Sequence, residues 1–380
     1  MKIQTLSSYI RRKDMDSVLN CMVTDRLATG EFSERLAKLA KEKLHFDFGV
    51  TLRSPAAALA LALECLSLPA GSHVALSALA EPWALKVIRS MGFEPVWLDV
   101  DAGTACFSPA ALDSLAGSGA RALYLAHPWG IMIDPALLVE IGIPIIEDIS
   151  TALGAAIDIG LPGEGGDAAG SVAVAAEPAG GEAGAVDEAA AAEQAARLVA
   201  AGSLGLFTIL GLEDSQAITA GGGALLYARA RRDGQALRNQ AEKLVATDLL
   251  PDLNAALALT QLRDADRFQE KRAELYKLYE QSLLRSHKKA LMSTRDGRPA
   301  YYGCVVVLEA GIKDVRAYAK KKEVDTLLAF EGSCVALGLV PEGACPTAAS
   351  LANRALAFPL HPRLGKTAAQ KIAKVLVTLP

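Results

Sequence analysis

The sequence predicts an α/β fold: a mainly parallel sheet covered on both faces by helices, followed by a smaller C-terminal α+β unit. Three observations carry this expectation. Strand-like and helix-like runs alternate from Phe48 to Glu147. The strand-like runs are apolar throughout, as in strands buried on both faces. With 380 residues, of which 51% are hydrophobic, the chain can bury the cores of two or three compact units.

Taken in order, Asp14 to Leu44 has helical apolar spacing broken at Thr29-Gly30, which predicts two short helices. Strands are expected at Phe48–Leu52, Val74–Leu76, Pro95–Val100, Ala122–Leu125 and Ile143–Ile146. Helices are expected between them at Pro55–Ser67, Trp83–Met91, Pro109–Leu115 and Pro135–Ile141. A strand at Leu206–Leu210, the loop Gly221-Gly222-Gly223 and a strand at Ala224–Ala228 complete a large unit, residues 1–245. The small unit, 246–380, opens with a long helical stretch, Asn254–Leu284, whose apolar seam runs through Leu257, Leu262, Phe268, Leu275 and Leu278. A strand (Tyr302–Glu309), a helix (Lys313–Lys321), a short strand (Ala355–Pro359) and a closing helix (Ala368–Val377) follow.

Residues 160–201 break the pattern. They are Gly, Ala and acid with almost nothing bulky, and seven acids (Glu164, Asp167, Glu177, Glu182, Asp187, Glu188, Glu193) face one Arg197. The rest of the chain carries 38 basic against 36 acidic residues, so this insert alone makes the protein acidic, with a net charge of −4. Such a composition buries too little apolar surface to fold by itself. It reads as a surface insertion, with a helix expected over its Ala-rich half, Asp187–Ala201.

The charge balance gives no sign of nucleic-acid binding, and no apolar run is long enough to span a bilayer. The N-terminus turns polar too early for a signal peptide, which points to the cytoplasm. The six cysteines lie scattered without a CxxC pair, and the five histidines form no HxxxH or HxH pair. Core thiols are expected rather than disulfides, and a zinc site is not.

Four blocks, in order, resemble the DegT/DnrJ/EryC1/StrS family of aminotransferases that use pyridoxal phosphate (PLP). They are Leu27-Ala28-Thr29-Gly30-Glu31-Phe32, the run Ile145 to Ala155 (IIEDISTALGA), the run Asn254 to Leu262 (NAALALTQL), and the run Leu356 to Leu364 (LAFPLHPRL). The resemblance covers the chain apart from the insert. It implies the fold-type-I, aspartate-aminotransferase-like architecture: a seven-stranded-type, mainly parallel sheet domain with a smaller α+β domain behind it.

It also implies where a cofactor would lie, and the sequence departs from the family at most of those places. Asp148 keeps the acid that pairs with the cofactor's ring nitrogen, although a purely structural hydrogen-bonding role fits it equally. The phosphate turn, SSGTAAL in the family, becomes Arg53-Ser54-Pro55-Ala56-Ala57-Ala58-Leu59. Pro55 has no N–H to offer a phosphate and Ala56 has no hydroxyl. Glu81 stands at the position of the stacking aromatic, with Trp83 two residues on. Thr151 replaces a histidine or glutamine beside the ring, and Thr208 retains a phosphate-binding hydroxyl.

Anchoring on Gly221-Gly222 puts Ser215 where the family has the lysine that forms the Schiff base. No lysine occurs between Lys86 and Lys243. Dehydratase relatives use histidine there, and the segment Phe207–Gly223 has none. The cross-subunit motif NYRMSEI becomes Thr247 to Leu253 without its asparagine or arginine.

These losses together imply a catalytically silent protein on an aminotransferase scaffold, a regulatory or binding subunit. Two alternatives remain. One is an active PLP-dependent nucleotide-sugar aminotransferase. The other is a lysine-independent enzyme that reuses the pocket, with Asp148, Glu81 and His127 as its acids and bases. The resemblance implies no covalent cofactor, PLP held at most non-covalently, and a small anion near Asp148 and Thr208 as a candidate ligand. It implies a homodimer, or a heterodimer with an active paralogue.

Overall fold

The computed structural model describes residues 2–160 and 197–380. Most of the acidic insert, and the helix expected at Asp187–Ala201 as far as residue 196, lies outside the described residues. The ends of the insert are described. Strand β6 (Ala156–Asp158) pairs antiparallel with β7 (Leu198–Ala200), and the Ile159 N–H donates to the Arg197 carbonyl at 3.0 Å. The insert therefore leaves and re-enters at a hairpin. Leu198–Ala200 is strand, which corrects the helix expected to run through to Ala201. Its N–H and C=O groups find partners on β6, and that pairing overrides alanine's helix preference.

The large sheet has seven strands. They are β1 (Phe48–Leu52), β2 (His73–Ser77), β3 (Glu94–Leu98), β4 (Ala120–Ala126), β5 (Ile145–Asp148), β8 (Phe207–Gly211) and β9 (Ala224–Ala228), in the spatial order β1-β9-β8-β5-β4-β2-β3. The pairs β3–β2, β2–β4, β4–β5 and β5–β8 are parallel, and β9 lies antiparallel between β8 and β1. A mainly parallel sheet is thus found as expected. Strand β5 runs two residues further than the apolar run suggests, because it continues through the fully buried Glu147 into Asp148.

Helices α1 (Arg12–Val23), α2 (Glu31–Leu44), α3 (Pro55–Leu66), α4 (Pro82–Ser90) and α5 (Pro109–Leu115) follow the expected order. The run Pro135–Ile141 makes only a 3-10 turn, Pro135–Leu138, held by the Asp134 carboxylate on the Ala136 N–H. Beyond β9 lies α6 (Arg231–Ala241).

The long stretch expected from Asn254 is two helices, α7 (Asp252–Arg263) and α8 (Ala265–Ser286). The break at Asp264 is held by Arg11 and Lys13. Helix α7 packs on α1 and α2, so the large unit's core continues past the boundary expected at 245/246. Asp252 shows the coupling. Its buried carboxylate accepts from the Gly30, Phe32 and Ser33 N–H groups at 2.9, 3.1 and 2.9 Å, capping α2 from a different helix.

Most of the apolar seam of the long helical stretch packs inside the chain. Leu262, Phe268 and Leu275 are buried in this chain's own cores. The exposed apolar side chains instead gather on α1, at Met15, Leu19, Met22 and Val23. The small unit is a four-stranded antiparallel sheet: β10 (Lys289–Ala290), β12 (Cys304–Val307), β14 (Ala355–Phe358) and β13 (Leu327–Leu328). It packs on α8 and the closing helix (Lys366–Val377). Strand β11 (Gly297–Arg298) joins β6 instead. The helix Pro346–Arg354 had no clear signal in its polar, proline-flanked sequence. It is capped by Asp99 from the large unit, which accepts from the Thr347 and Ala348 N–H groups at 3.0 and 2.8 Å.

One buried carboxylate holds the centre of the large sheet. Glu147 accepts from His127 Nε2 at 2.9 Å and from the N–H groups of Gly202, Leu204 and Gly205 at 2.7, 2.8 and 3.1 Å. Its neighbours need glycine. Gly202 sits at φ +90°, and a side chain on Gly205 would collide with the Glu147 backbone. Replacing Glu147 with alanine strands these donors in the core and is expected to cost about 3–5 kcal/mol. The cost reads out as a lowered urea midpoint, larger for Glu147→Ala than for Glu147→Gln.

Candidate functional site

Open parallel sheets bind ligands beyond the C-terminal ends of their strands, and Asp148 ends β5 there. Register places Ala126 and Ile209 beside it and Tyr124 two positions along the same face. The carboxylate is already engaged. The Tyr124 hydroxyl donates to Oδ2 at 2.7 Å, the Ser150 N–H donates to Oδ1 at 2.9 Å, and the Ser150 hydroxyl also donates to Oδ1. Ser150 in turn accepts from the Gly211 N–H at 2.8 Å, which ties β5 to β8. Burial pushes the Asp148 carboxyl above its usual range, against the pull of the Ser150 and Tyr124 hydrogen bonds. Burial and the adjacent Asp148 charge push the Tyr124 phenol well above its own, so it stays a neutral donor.

The Trp83 ring meets Tyr124 edge-on, with centroids 5.9 Å apart, and its Nε1–H donates to Glu81 Oε2 at 2.7 Å. Glu81 stands at the N-terminus of α4 with one side open to solvent. Desolvation by the surrounding protein raises its carboxyl, the Trp83 hydrogen bond opposes this, and the nearby charges of Asp148 and Glu213 add to the rise. Glu81, Asp148 and Glu213 thus lie close enough for their charges to act on one another. Ser54 caps α3, accepting from the Ala57 N–H at 3.1 Å, with Pro55 in the first helical position and Ala56 next. That leaves the Ala56 N–H as the remaining donor at the start of the helix.

Other expected site residues are separated from this group. Thr208 pairs in register with Glu147, not Asp148, so its side chain lies on the opposite face of the sheet, where its hydroxyl reaches the Gly202 carbonyl at 3.3 Å. Alternation of side chains along a strand fixes this. Thr151 donates to the His127 carbonyl at 2.6 Å and accepts from the Gly130 N–H at 3.2 Å, pinning one loop to another. His127 is buried with Nε2 committed to Glu147. Ser215 is exposed on the turn after β8 and lines a separate cavity with the N-terminal segment. Of the expected residues, the structure gathers Asp148 and Glu81 near the head of α3, joined by Tyr124, Ser150, Trp83 and Glu213. Sequence reasoning passed over Tyr124 and Ser150. The signals for them were a lone aromatic hydroxyl in an apolar strand and a serine two residues beyond a buried acid.

The fold is that of an α/β protein built on a seven-stranded, mainly parallel sheet with a second, four-stranded sheet. The chain belongs to the DegT/DnrJ/EryC1/StrS aminotransferase family, whose sequence pattern it matches over residues 8–377. It is 32% identical over 110 residues to L-glutamine:scyllo-inosose aminotransferase of Streptomyces griseus, covering 28% of this chain and 26% of that one. It is 26% identical over 149 residues to UDP-4-amino-4-deoxy-L-arabinose--oxoglutarate aminotransferase of Shewanella sediminis, covering 38% of each. The matched segments thus span well under half the length of these relatives.

Among solved structures, it superposes on the aminotransferase TlmJ from Streptoalloteichus hindustanus with a TM-score of 0.78 at 19% identity, covering 98% of this chain and 97% of that one. It superposes on S. venezuelae DesV, solved with a ketimine intermediate, with a TM-score of 0.79 at 18% identity, covering 99% and 98%. The fold is that of the type-I PLP-dependent transferases.

The residues present do not fit a Schiff-base-bound PLP. The Asp148 carboxylate is bonded to Tyr124 and Ser150, Pro55 removes one N–H from the head of α3, and no lysine lies between Lys86 and Lys243 to supply the amine.

Removing the Tyr124 hydroxyl tests the network. Tyr124→Phe leaves Asp148 one donor short and is expected to cost about 1–3 kcal/mol. The sign of its pH dependence follows from the raised carboxyl. The folded state holds the Asp148 proton more tightly than the unfolded chain, so this group's contribution to stability falls as pH rises through the folded titration. Tyr124→Phe raises that titration further. Its stability loss is therefore expected to be larger at about pH 8 than at about pH 5 in urea unfolding.

Proposed function

We propose that this chain is a catalytically silent member of its family, acting as a binding or regulatory subunit on an aminotransferase scaffold. The observation that carries this is the absence of any lysine from 87 to 242, the stretch that supplies β3 to β9 and the loops that follow β4, β5 and β8 in the large sheet. A Schiff base needs a lysine amine. Ser215, read as its replacement, cannot supply one. The engagement of Asp148 by Tyr124 and the carboxylate of Glu81 support the same reading. Any PLP would then be held without a covalent bond.

A second reading, an active sugar aminotransferase, draws on the named activities of the relatives. It also draws on a Streptococcus pneumoniae protein described as a sugar aminotransferase and solved in its PLP form, with a TM-score of 0.80 at 16% identity and coverage of 100% and 98%. One experiment separates the two. After incubation with PLP, borohydride reduction and digestion, mass spectrometry is expected to find no phosphopyridoxyl group on a lysine of the cleft. A stoichiometric adduct there sinks the silent reading.

The silent reading also predicts that Ser215→Lys does not restore transamination. The amine would return to an exposed turn that lines a cavity apart from the Asp148 network, while the head of α3 has one N–H fewer because of Pro55. Groups that act as a unit are strongly non-additive, and misplacement by roughly 1 Å can cost about 100-fold in rate. Turnover with glutamate and keto-sugars is expected to stay undetectable. Robust turnover by this single variant would favour the active reading.

We further propose a dimer, either of this chain or with an active paralogue. The exposed apolar face of α1 supports it, since a contiguous surface of that kind is costly to leave in water. Sedimentation is expected to give a dimer at micromolar concentration, alone or with that paralogue, and a monomer under both conditions refutes it.

A further inference from the structure

The helix Ile312–Lys321 packs on the small unit's core through Val315 and Ala319 and leaves Lys313, Arg316 and Lys320 exposed. Residues three and four apart share one side of a helix, so these cations form a stripe, which the exposed Lys321 and Lys322 extend at its C-terminal end. We infer that this basic stripe is a docking surface, and that its occupant is the acidic insert of the same chain, residues 161–196.

The stripe is not neutralised by its surroundings. Lys313 and Arg316, and then Arg316 and Lys320, are like charges at helical neighbours' spacing, which works against the helix. Of the acids nearby, Glu323 pairs with Lys371 at 2.6 Å and Asp325 with Lys2 at 2.8 Å. Asp314 lies in the first turn, where a negative charge complements the helix N-terminus. Lys313, Arg316, Lys320 and Lys321 have no ion pair among the described residues. The closing helix lies alongside, with the Tyr318 hydroxyl 2.7 Å from Thr378 Oγ1, and adds the exposed Lys374.

Residues 161–196 carry seven acids and no basic residue. Their two ends leave from β6 and β7, and β6 also pairs with β11, in the segment that joins β10 to β12 of the small sheet. There the Asp158 N–H donates to the Asp296 carbonyl at 2.9 Å, and Arg298 Nε donates to the Gly154 carbonyl at 3.1 Å. The insert therefore begins and ends beside the small unit. Half its length, extended at roughly 3.3 Å per residue, reaches about 60 Å. A unit of about 100 residues is only about 35 Å across.

Exposed ion pairs are individually weak. Attachment at both ends makes their formation intramolecular, at a high effective concentration. Another copy's insert carries the same charge but lacks that advantage. The inference is independent of whether the strand-end cleft is catalytic.

The test is zero-length carbodiimide cross-linking of the full chain, which joins a carboxylate to a lysine amine only where the two touch. The insert has no lysine, so its acids can link only to lysines outside it. Mass spectrometry is expected to find links from insert acids to Lys313, Lys320 or Lys321 at low salt. They are expected to vanish in about 0.5 M sodium chloride, where charges are screened within a few ångströms. In a mixture of unlabelled and 15N-labelled chains, the links are expected to join peptides of the same label. A second measurement replaces residues 163–194 with a short Gly-Ser linker, after which acetylation of Lys320 and Lys321 is expected to be several-fold faster and that of Lys86 unchanged. Links spread over lysines regardless of place, links only between differently labelled chains, no links at all, or equal acetylation in the two proteins each overturn the inference.

Discussion

The Glu147 carboxylate, fully enclosed at the centre of a parallel sheet, is the constraint on which the rest of the large unit depends. A buried charge is tolerated only when its oxygens are fully bonded. The four donors that meet this demand come from the end of β4 and from the chain just before β8. They therefore fix how β8 lies against β5 after the excursion through the insert. The chain on either side of the insert pairs as β6 and β7 and is gripped again at Gly202 to Gly205. Asp148, the next residue along, inherits its position from this arrangement.

Alternation along β5 then divides the chemistry between two faces. Glu147 points to the structural side with Thr208. Asp148 points to the ligand side with Tyr124 and, across the cleft, Glu81. On that side the chain satisfies its own acid: a neutral phenol and a serine supply the hydrogen bonds that a bound group would otherwise make. The cleft is acidic, and the head of α3 has one fewer N–H because of Pro55. These features agree with one another and with the lysine-free stretch. The fold persists because it is held by Glu147, Asp252 and Asp99, none of which depends on what occupies the cleft.

Ser215 lies with the N-terminal segment and the Arg363 loop, not with the Asp148 network. Charge is divided along the chain as well. Residues 161–196 hold acids without a basic residue, and the helix Ile312–Lys321 of the small unit carries a basic stripe.

Much of this was legible in the residues themselves. The apolar runs gave the parallel strands because burial on both faces requires them. The block IIEDISTALGA marked the central strand and its acid, and the family resemblance followed. The missing lysine needs no structure to be seen. Local pattern could not decide where helices break or which short segments pair. Asp264 splits a continuous helical pattern through contacts with Arg11 and Lys13, and Leu198–Ala200 becomes strand only because β6 lies beside it. Nor could it decide the company each site residue keeps. Thr208 and Asp148 seem compatible along the chain, yet sheet register puts them on opposite faces, and Tyr124 reaches Asp148 only because β4 and β5 are neighbours. The sequence by itself determined which groups exist, including the lysine-free stretch between Lys86 and Lys243. The tertiary structure decided which of those groups meet, because hydrogen bonds and charge interactions act over a few ångströms between elements far apart in the chain.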